Sequence, residues 1–138
     1  MKGVLLDTGF IVALLDRSER HHRGCRELIG GVQVPLVTCE AVIAEACYVL
    51  RRLRGASDAV LANVERGNFV VPFRLDESAR AVRTLMKRYA SVPMDLADAC
   101  LVQLATVLDI GDVLTLDDDF HVYRFGRARP FRLLPERA

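Results

Sequence analysis

The chain opens with MKGVLLDTGFIVALLD, residues 1–16, and the fold turns on how Asp7 is read within it. Gly3 to Leu6 is a short apolar run that stops at an acid, the mark of a strand. Thr8 to Leu15 carries on as an apolar, helix-compatible stretch. A strand passing through one acid into a helix is the first half of a βα unit. The competing reading is a signal peptide, with one lysine and an apolar run. Asp7 breaks that run, however, and no small-residue cleavage site follows. The longest apolar stretches also fall short of the ~20 residues of a membrane span. A soluble, cytoplasmic protein without a membrane partner is expected.

Working outward, the same alternation repeats. Arg17 to Ile29 is polar with helical apolar spacing near its end, closed by Gly30-Gly31. Val32 to Val37 predicts a second strand. Thr38 or Glu40 begins a helix through Leu53, with Ala41, Ala44, Cys47, Tyr48 and Leu50 at three-to-four spacing and Gly55 ending it. Ser57 to Arg66 predicts a helix capped by Ser57. Asn68 to Phe73 predicts a third strand, Asp76 to Tyr89 an amphipathic helix, and Asp95 to Leu108 the most apolar helix. Val113 to Leu116 and Phe131 to Leu134 predict the last two strands. Short strands alternating with helices predict an α/β fold whose mostly parallel sheet has helices on both faces. Ligands of such sheets bind beyond the carboxyl ends of the strands, where Asp7 and Asp117 would sit.

The 138 residues suit one domain, 1–138, and 51 % apolar residues suffice for a core. Cys25, Cys39, Cys47 and Cys100 form no CxxC pair and no zinc-finger spacing. Cys47 and Cys100 lie in apolar helical patterns and are expected as buried, reduced thiols. The net charge of +1 makes no case for nucleic acid by itself.

Acids recur where solubility explains them poorly. Asp7 ends the first strand, and Glu45 lies inside AVIAEACYVL. Asp95 and Asp98 occupy the first turn of the helix DLADACLVQLA. Asp117 to Asp119 follow the fourth strand in TLDDDF. Each has a structural explanation. Asp7 and Asp95 can be N-caps, Asp98 can answer the helix dipole, Glu45 can face solvent, and the Asp117 run can make a turn. Together, at one end of one sheet, they point to a divalent-cation site. Adjacent carboxylates repel, and Mg²⁺ or Mn²⁺, which prefer oxygen ligands, remove that repulsion. Phosphodiester hydrolysis is the chemistry such a site serves. No Walker A, GxGxxG, GxSxG or HExxH sequence competes. His21, His22 and His121 are not spaced as ligands.

LLDTGF, AVIAEACYVL, PMDLADACLVQLA and VLTLDDDFHVYR, in this order, resemble the PIN domain, and more narrowly the VapC-type ribonuclease toxins of bacterial and archaeal toxin–antitoxin pairs. The resemblance runs from residue 4 to residue 124. It implies an α/β/α sandwich around a central, mostly parallel sheet of four to five strands. It also implies a Mg²⁺- or Mn²⁺-dependent endoribonuclease leaving 5′-phosphate and 3′-hydroxyl ends. Asp7, Glu45, Asp98 and Asp117 match the family's catalytic, metal-holding acids. Thr8 and Thr115 match its supporting hydroxyls, Asp119 an accessory acid, and Asp95 an acid often found three residues before the core one. Glu40 competes with Glu45, whose AxxAE register fits the family better. Asp118 departs from the pattern, since many relatives carry basic residues there, and it leaves open which of Asp117 and Asp119 dominates.

Partners follow from the same resemblance: RNA, most commonly transfer RNA, a co-expressed VapB-like antitoxin whose arginine reaches the acids, and a second copy in a homodimer. The helices Ser57–Arg66 and Asp76–Tyr89 are the interface candidates. Basic residues cluster at Arg17, Arg20 and Arg23, at Arg51, Arg52 and Arg54, and at Arg124, Arg127, Arg129 and Arg132. Arg51, Arg52, Arg54 and Arg124 are the candidate RNA contacts, which would make binding salt-sensitive. Two rivals remain: a PIN-like binding module that does not cut, and an aspartate-nucleophile phosphohydrolase. The second would want DxD and a catalytic lysine, where this chain has DTG and, beyond Lys2, only Lys87.

Overall fold

Five short strands, all pairing in parallel, build the sheet of the computed structural model, which describes residues 2–137. They are β1 (Val4–Leu6), β2 (Leu36–Val37), β3 (Phe69–Val70), β4 (Asp112–Leu114) and β7 (Arg132–Leu134), in the order β3-β2-β1-β4-β7. A separate antiparallel hairpin pairs β5 (Arg124–Phe125) with β6 (Arg129–Pro130). The helices are α1 (Thr8–Leu15), α2 (His22–Gly30), α3 (Glu40–Val49), α4 (Ala56–Glu65), α5 (Leu75–Arg88) and α6 (Leu96–Leu108). They flank the sheet in an α/β/α arrangement. A 3-10 turn, Asp118–His121, follows β4.

All three residues of β1 are buried, as a central parallel strand covered on both faces requires. The chain lays β2 and β3 on one side of β1, then returns to place β4 and β7 on the other. The strand order therefore reverses between β1 and β4. Single backbone bonds carry the ladder past the strand ends: Asp7 N–H donates to Leu114 O (3.0 Å), and Thr115 N–H to Leu134 O (3.0 Å). The residues that follow the two central strands are thus held by the sheet itself.

The core centres on Phe10, Ile11, Leu101, Leu104, Phe120 and Tyr123, all below 2 % exposure. Each large side chain so buried contributes roughly 1.5–3 kcal/mol before entropy is charged against it. Phe120 sets its ring edge-on to both Tyr123 (5.2 Å) and Phe131 (5.3 Å), which anchors the loop after β4 to the C-terminal segment.

Several expectations are corrected. The helix carrying Glu45 stops at Val49, with Leu50 as its C-cap, not at Leu53. Arg51 to Gly55 form turns, and Gly55 enters α4 at φ 79°, a conformation only glycine adopts freely. Gly55, and not Ser57, is therefore the N-cap of α4. Ser57 lies inside the helix and donates to Cys47 O (3.3 Å). Arg17 and Arg20 precede α2 instead of lying on it, and only Arg23 is helical. The strands expected at 32–37 and 68–73 shrink to two residues each, because the flanking positions run out along the surface. Cys47 is half-buried, whereas Cys100 is buried.

Candidate active site

The reversal of strand order opens a crevice beyond the ends of β1 and β4, the place where open α/β sheets bind ligands. It encloses about 640 Å³ and is lined by Asp7, Thr8, Gly9, Glu45, Asp95, Asp98, Leu116, Asp117 and Asp118. Acids from four separate parts of the sequence meet here, each delivered by a different element.

Asp7 directly follows β1 and caps α1, with Oδ1 accepting from Thr8 N–H (2.8 Å). Its Oδ2 accepts from the buried Thr115 hydroxyl (2.7 Å). Both oxygens are thereby oriented, and N-cap and site acid are one residue. Thr115 Oγ1 also accepts from Asp117 N–H (3.0 Å), so one hydroxyl ties the end of β1 to the start of the acidic loop.

Glu45 projects from the middle of α3 and is exposed at the crevice. The Thr8 hydroxyl donates to Glu45 Oε1 at 2.5 Å, which joins α1 to α3. Glu40, its competitor, lies along a different depression with Ala41, Phe73, Leu75, Leu96 and Cys100. Glu45, and not Glu40, lines the crevice with the other acids.

Asp95 caps α6 by accepting from Asp98 N–H (2.8 Å) and also faces the crevice. Asp98, one turn in, is only 8 % exposed and accepts from the Tyr123 hydroxyl through Oδ2 (2.8 Å). Asp117 caps the 3-10 turn by accepting from Asp119 N–H (2.9 Å). Asp98, Asp117 and Asp119 each offer an oxygen within 4.8 Å of the others, close enough to share one cation. Asp118 takes a different path. Its Oδ1 meets Arg137 Nε (3.1 Å), while Arg137 Nη2 donates to Thr115 O (2.9 Å).

The electrostatics follow from burial. Asp7 is pushed up to about 6, chiefly by burial, against the hydrogen bonds from Thr115 and Thr8. Asp98 is pushed up to about 7, again chiefly by burial, with Tyr123 pulling it back and Asp95, Asp7 and Asp117 adding to the rise. Asp119 is raised by burial and then by Asp117. Such a cluster is poised to gain from a positive charge. Its donors are carboxylate and hydroxyl oxygens, with no thiol or imidazole among the lining residues, and this chemistry fits a hard divalent ion such as Mg²⁺ or Mn²⁺.

The basic candidates lie elsewhere. Arg51 is folded back over the Tyr48 ring (3.9 Å) and bonded to Tyr48 O (2.8 Å); Arg52 and Arg54 are exposed in the following turn. Arg124 Nη1 donates to the carbonyls of His121 (2.7 Å), Val122 (3.2 Å) and Tyr123 (2.9 Å), so its guanidinium is locked in place. Sequence reading missed Tyr123 and Arg137. Only the two polar groups within otherwise apolar or terminal segments, VYRF and LLPER, hinted at them.

Comparison with known proteins agrees with this architecture. The family model of the PIN domain matches residues 4–126. The crystal structure of Mycobacterium tuberculosis VapC20, described as a sarcin–ricin-loop-cleaving toxin, aligns with a TM-score of 0.81 at 20 % identity, over 93 % of this chain and 100 % of that one. Among curated protein sequences none matches.

Proposed function

The chain belongs to the PIN-domain family, and from that premise we propose that it is a divalent-metal-dependent endoribonuclease acting as the toxin of a toxin–antitoxin pair. The observation that carries this reading is the crevice at the strand-order reversal, where Asp98, Asp117 and Asp119 approach within 4.8 Å beside Asp7 and Glu45. The solved toxin of the same fold supports the biological setting.

Asp7, Glu45, Asp98 and Asp117 are the residues that would hold Mg²⁺ or Mn²⁺, with Asp119 beside them. When bound, the ion supplies Lewis-acid charge to a phosphate oxygen and acidifies a water. The chain's own groups do the rest. Thr115 fixes Asp7, Thr8 fixes Glu45, and Tyr123 fixes Asp98, so the carboxylates meet the substrate without reorganising. The exposed Glu45 or Asp117 takes the proton of the attacking water. The aspartate-nucleophile rival lacks its lysine. Lys2 bonds to Asp109, Lys87 stands exposed on α5, and neither lines the crevice.

The test is cleavage of total transfer RNA, with sarcin–ricin-loop RNA alongside, in Mg²⁺, Mn²⁺ or EDTA. Asp98→Asn prepared identically is the control. Metal-dependent cutting that disappears in the variant is expected. RNA binding without metal-dependent cutting would replace this reading with a silent binding module. Co-purification of a small basic-tailed partner that blocks cutting, and a dimer in sedimentation, are the expected accompaniments.

A further inference from the structure

A second concavity, about 440 Å³, runs along one face of α5 where it crosses α6 and reaches β5. Arg80, Arg88 and Arg124 line it, with Ser78 and Gln103 adding neutral donors. Its one acid, Glu77, is directed to Arg74, the N-cap of the same helix (3.6 Å). Arg80 and Arg88 are exposed and have no carboxylate partner within ion-pair distance among the described residues. They stand eight residues apart on one helical face, about 12 Å along the axis. Arg124 is held rigid by its three carbonyls and so presents its remaining N–H groups at no further entropic cost.

The groove and the crevice are separate concavities that share interior packing. Arg88 precedes Tyr89 and Arg124 follows Tyr123, and these two tyrosines meet edge-on with ring centroids 5.1 Å apart. The Tyr89 hydroxyl also accepts from Arg124 N–H (3.0 Å). Tyr123 in turn bonds Asp98. The same tyrosine pair thus braces an acid of the crevice through Tyr123 and the rim of the groove through Arg124.

Resting on the ribonuclease reading, we propose that this α5–β5 groove is an RNA-backbone subsite that grips the substrate strand beyond the bond being cut. Guanidinium groups set along a concave track suit the phosphates of one extended strand, which they can bind bidentately without reading bases. Binding here reads shape and charge, not bases.

Binding is measured on the Asp98→Asn chain without metal, using a fluorescent RNA stem–loop of about 30 nucleotides across a salt series. Arg80→Gln/Arg88→Gln is compared with Arg83→Gln/Lys87→Gln, which removes the same charge from α5 positions outside the groove. The groove pair is expected to weaken binding about tenfold and to lower the salt slope by about one to two, while the control pair changes both far less. Equal losses in the two pairs, or none in either, would overturn the subsite. So would an RNA affinity that is untouched while an acidic peptide loses its binding. The two readings fail separately. RNA cut normally by a groove variant of unchanged affinity removes the subsite and leaves the nuclease. RNA held by the groove but never cut removes the nuclease and leaves the subsite.

Discussion

Tyr123, with no exposed surface, gives its hydroxyl to Asp98 Oδ2 at 2.8 Å. This bond spans 25 residues and leaves Asp98 Oδ1 free for a cation. Tyr123→Phe keeps the rings of Tyr89 and Phe120 packed and deletes only the donor. Mn²⁺ affinity, followed by the free-ion electron paramagnetic signal, is expected to fall about tenfold or more, as for other residues that orient metal ligands. Stability is expected to change by only about 1 kcal/mol. An unchanged Mn²⁺ affinity would show that Tyr123 merely fills space.

Asp7 and Asp98 give the metal-free protein a distinctive pH response. Their folded values of about 6 and about 7 lie above the ordinary 3.8 because burial disfavours their charged forms. A raised carboxyl favours the fold most below the unfolded value, and that contribution is lost as pH rises through the folded value. At about 1.4 kcal/mol per unit, the two acids together cost on the order of a few kcal/mol by pH 8. In EDTA the melting temperature is therefore expected to drop between pH 5 and pH 8, and Mn²⁺ to restore it. Asp98→Asn is expected to melt several degrees higher than the parent at pH 8 while losing cleavage. A variant no more stable than the parent there would refute the assignment.

The two glutamates of α3 separate cleanly. Glu45 faces the crevice and takes the Thr8 hydroxyl, whereas Glu40 borders the α5–α6 depression. Glu45→Gln is expected to reduce single-turnover RNA cleavage by about a hundredfold or more, in the range of general acid–base and metal-ligand losses. Glu40→Gln is expected to stay within about threefold. The reverse ranking would move the helix's contribution to its first turn.

Arg137 clasps the acidic loop by joining Asp118 Oδ1, Thr115 O and Pro135 O. It sets a positive charge beside three consecutive aspartates and pairs with the middle one, Asp118. Arg137→Ala is expected to speed amide exchange at Asp117 to Phe120 and to slow cleavage several-fold. Arg137→Lys, which cannot span three acceptors, is expected to recover only part of each. Exchange identical to the parent would mean the loop is held without the clasp.

Much of this was legible before any coordinates. VLLD followed by TGFIVALL dictated a buried strand, an acid and a helix, and the structure has all three. The apolar register around Glu45 and Asp98 gave their helices, because a 3.6-residue period shows in any single sequence. Other features depend on distant contacts that local patterns do not encode. α3 ends at Val49 and the chain turns through Arg51 to Gly55 into α4, which a helical pattern running on through Leu53 concealed. Ser57 looked like a cap because the residue type favours that position, but Gly55 sits at the helix entrance. The β5–β6 hairpin, with Gly126 and Ala128 at positive φ, was invisible in a run rich in arginine. Tyr123 and Arg137 act across 25 and 19 or more residues, beyond any window.

Thr115 hangs from the outermost strand: its N–H is bonded to Leu134, the last residue of β7. Edge strands fray first, with opening free energies well below that of global unfolding. Opening of β7 would remove one backbone anchor of Thr115, whose hydroxyl orients Asp7. In a nuclease built on these acids, opening of the sheet's margin would lower the fraction of molecules with Asp7 oriented. Whatever binds along that margin, RNA or protein, would tune the fraction of molecules competent to cut without touching a single acid.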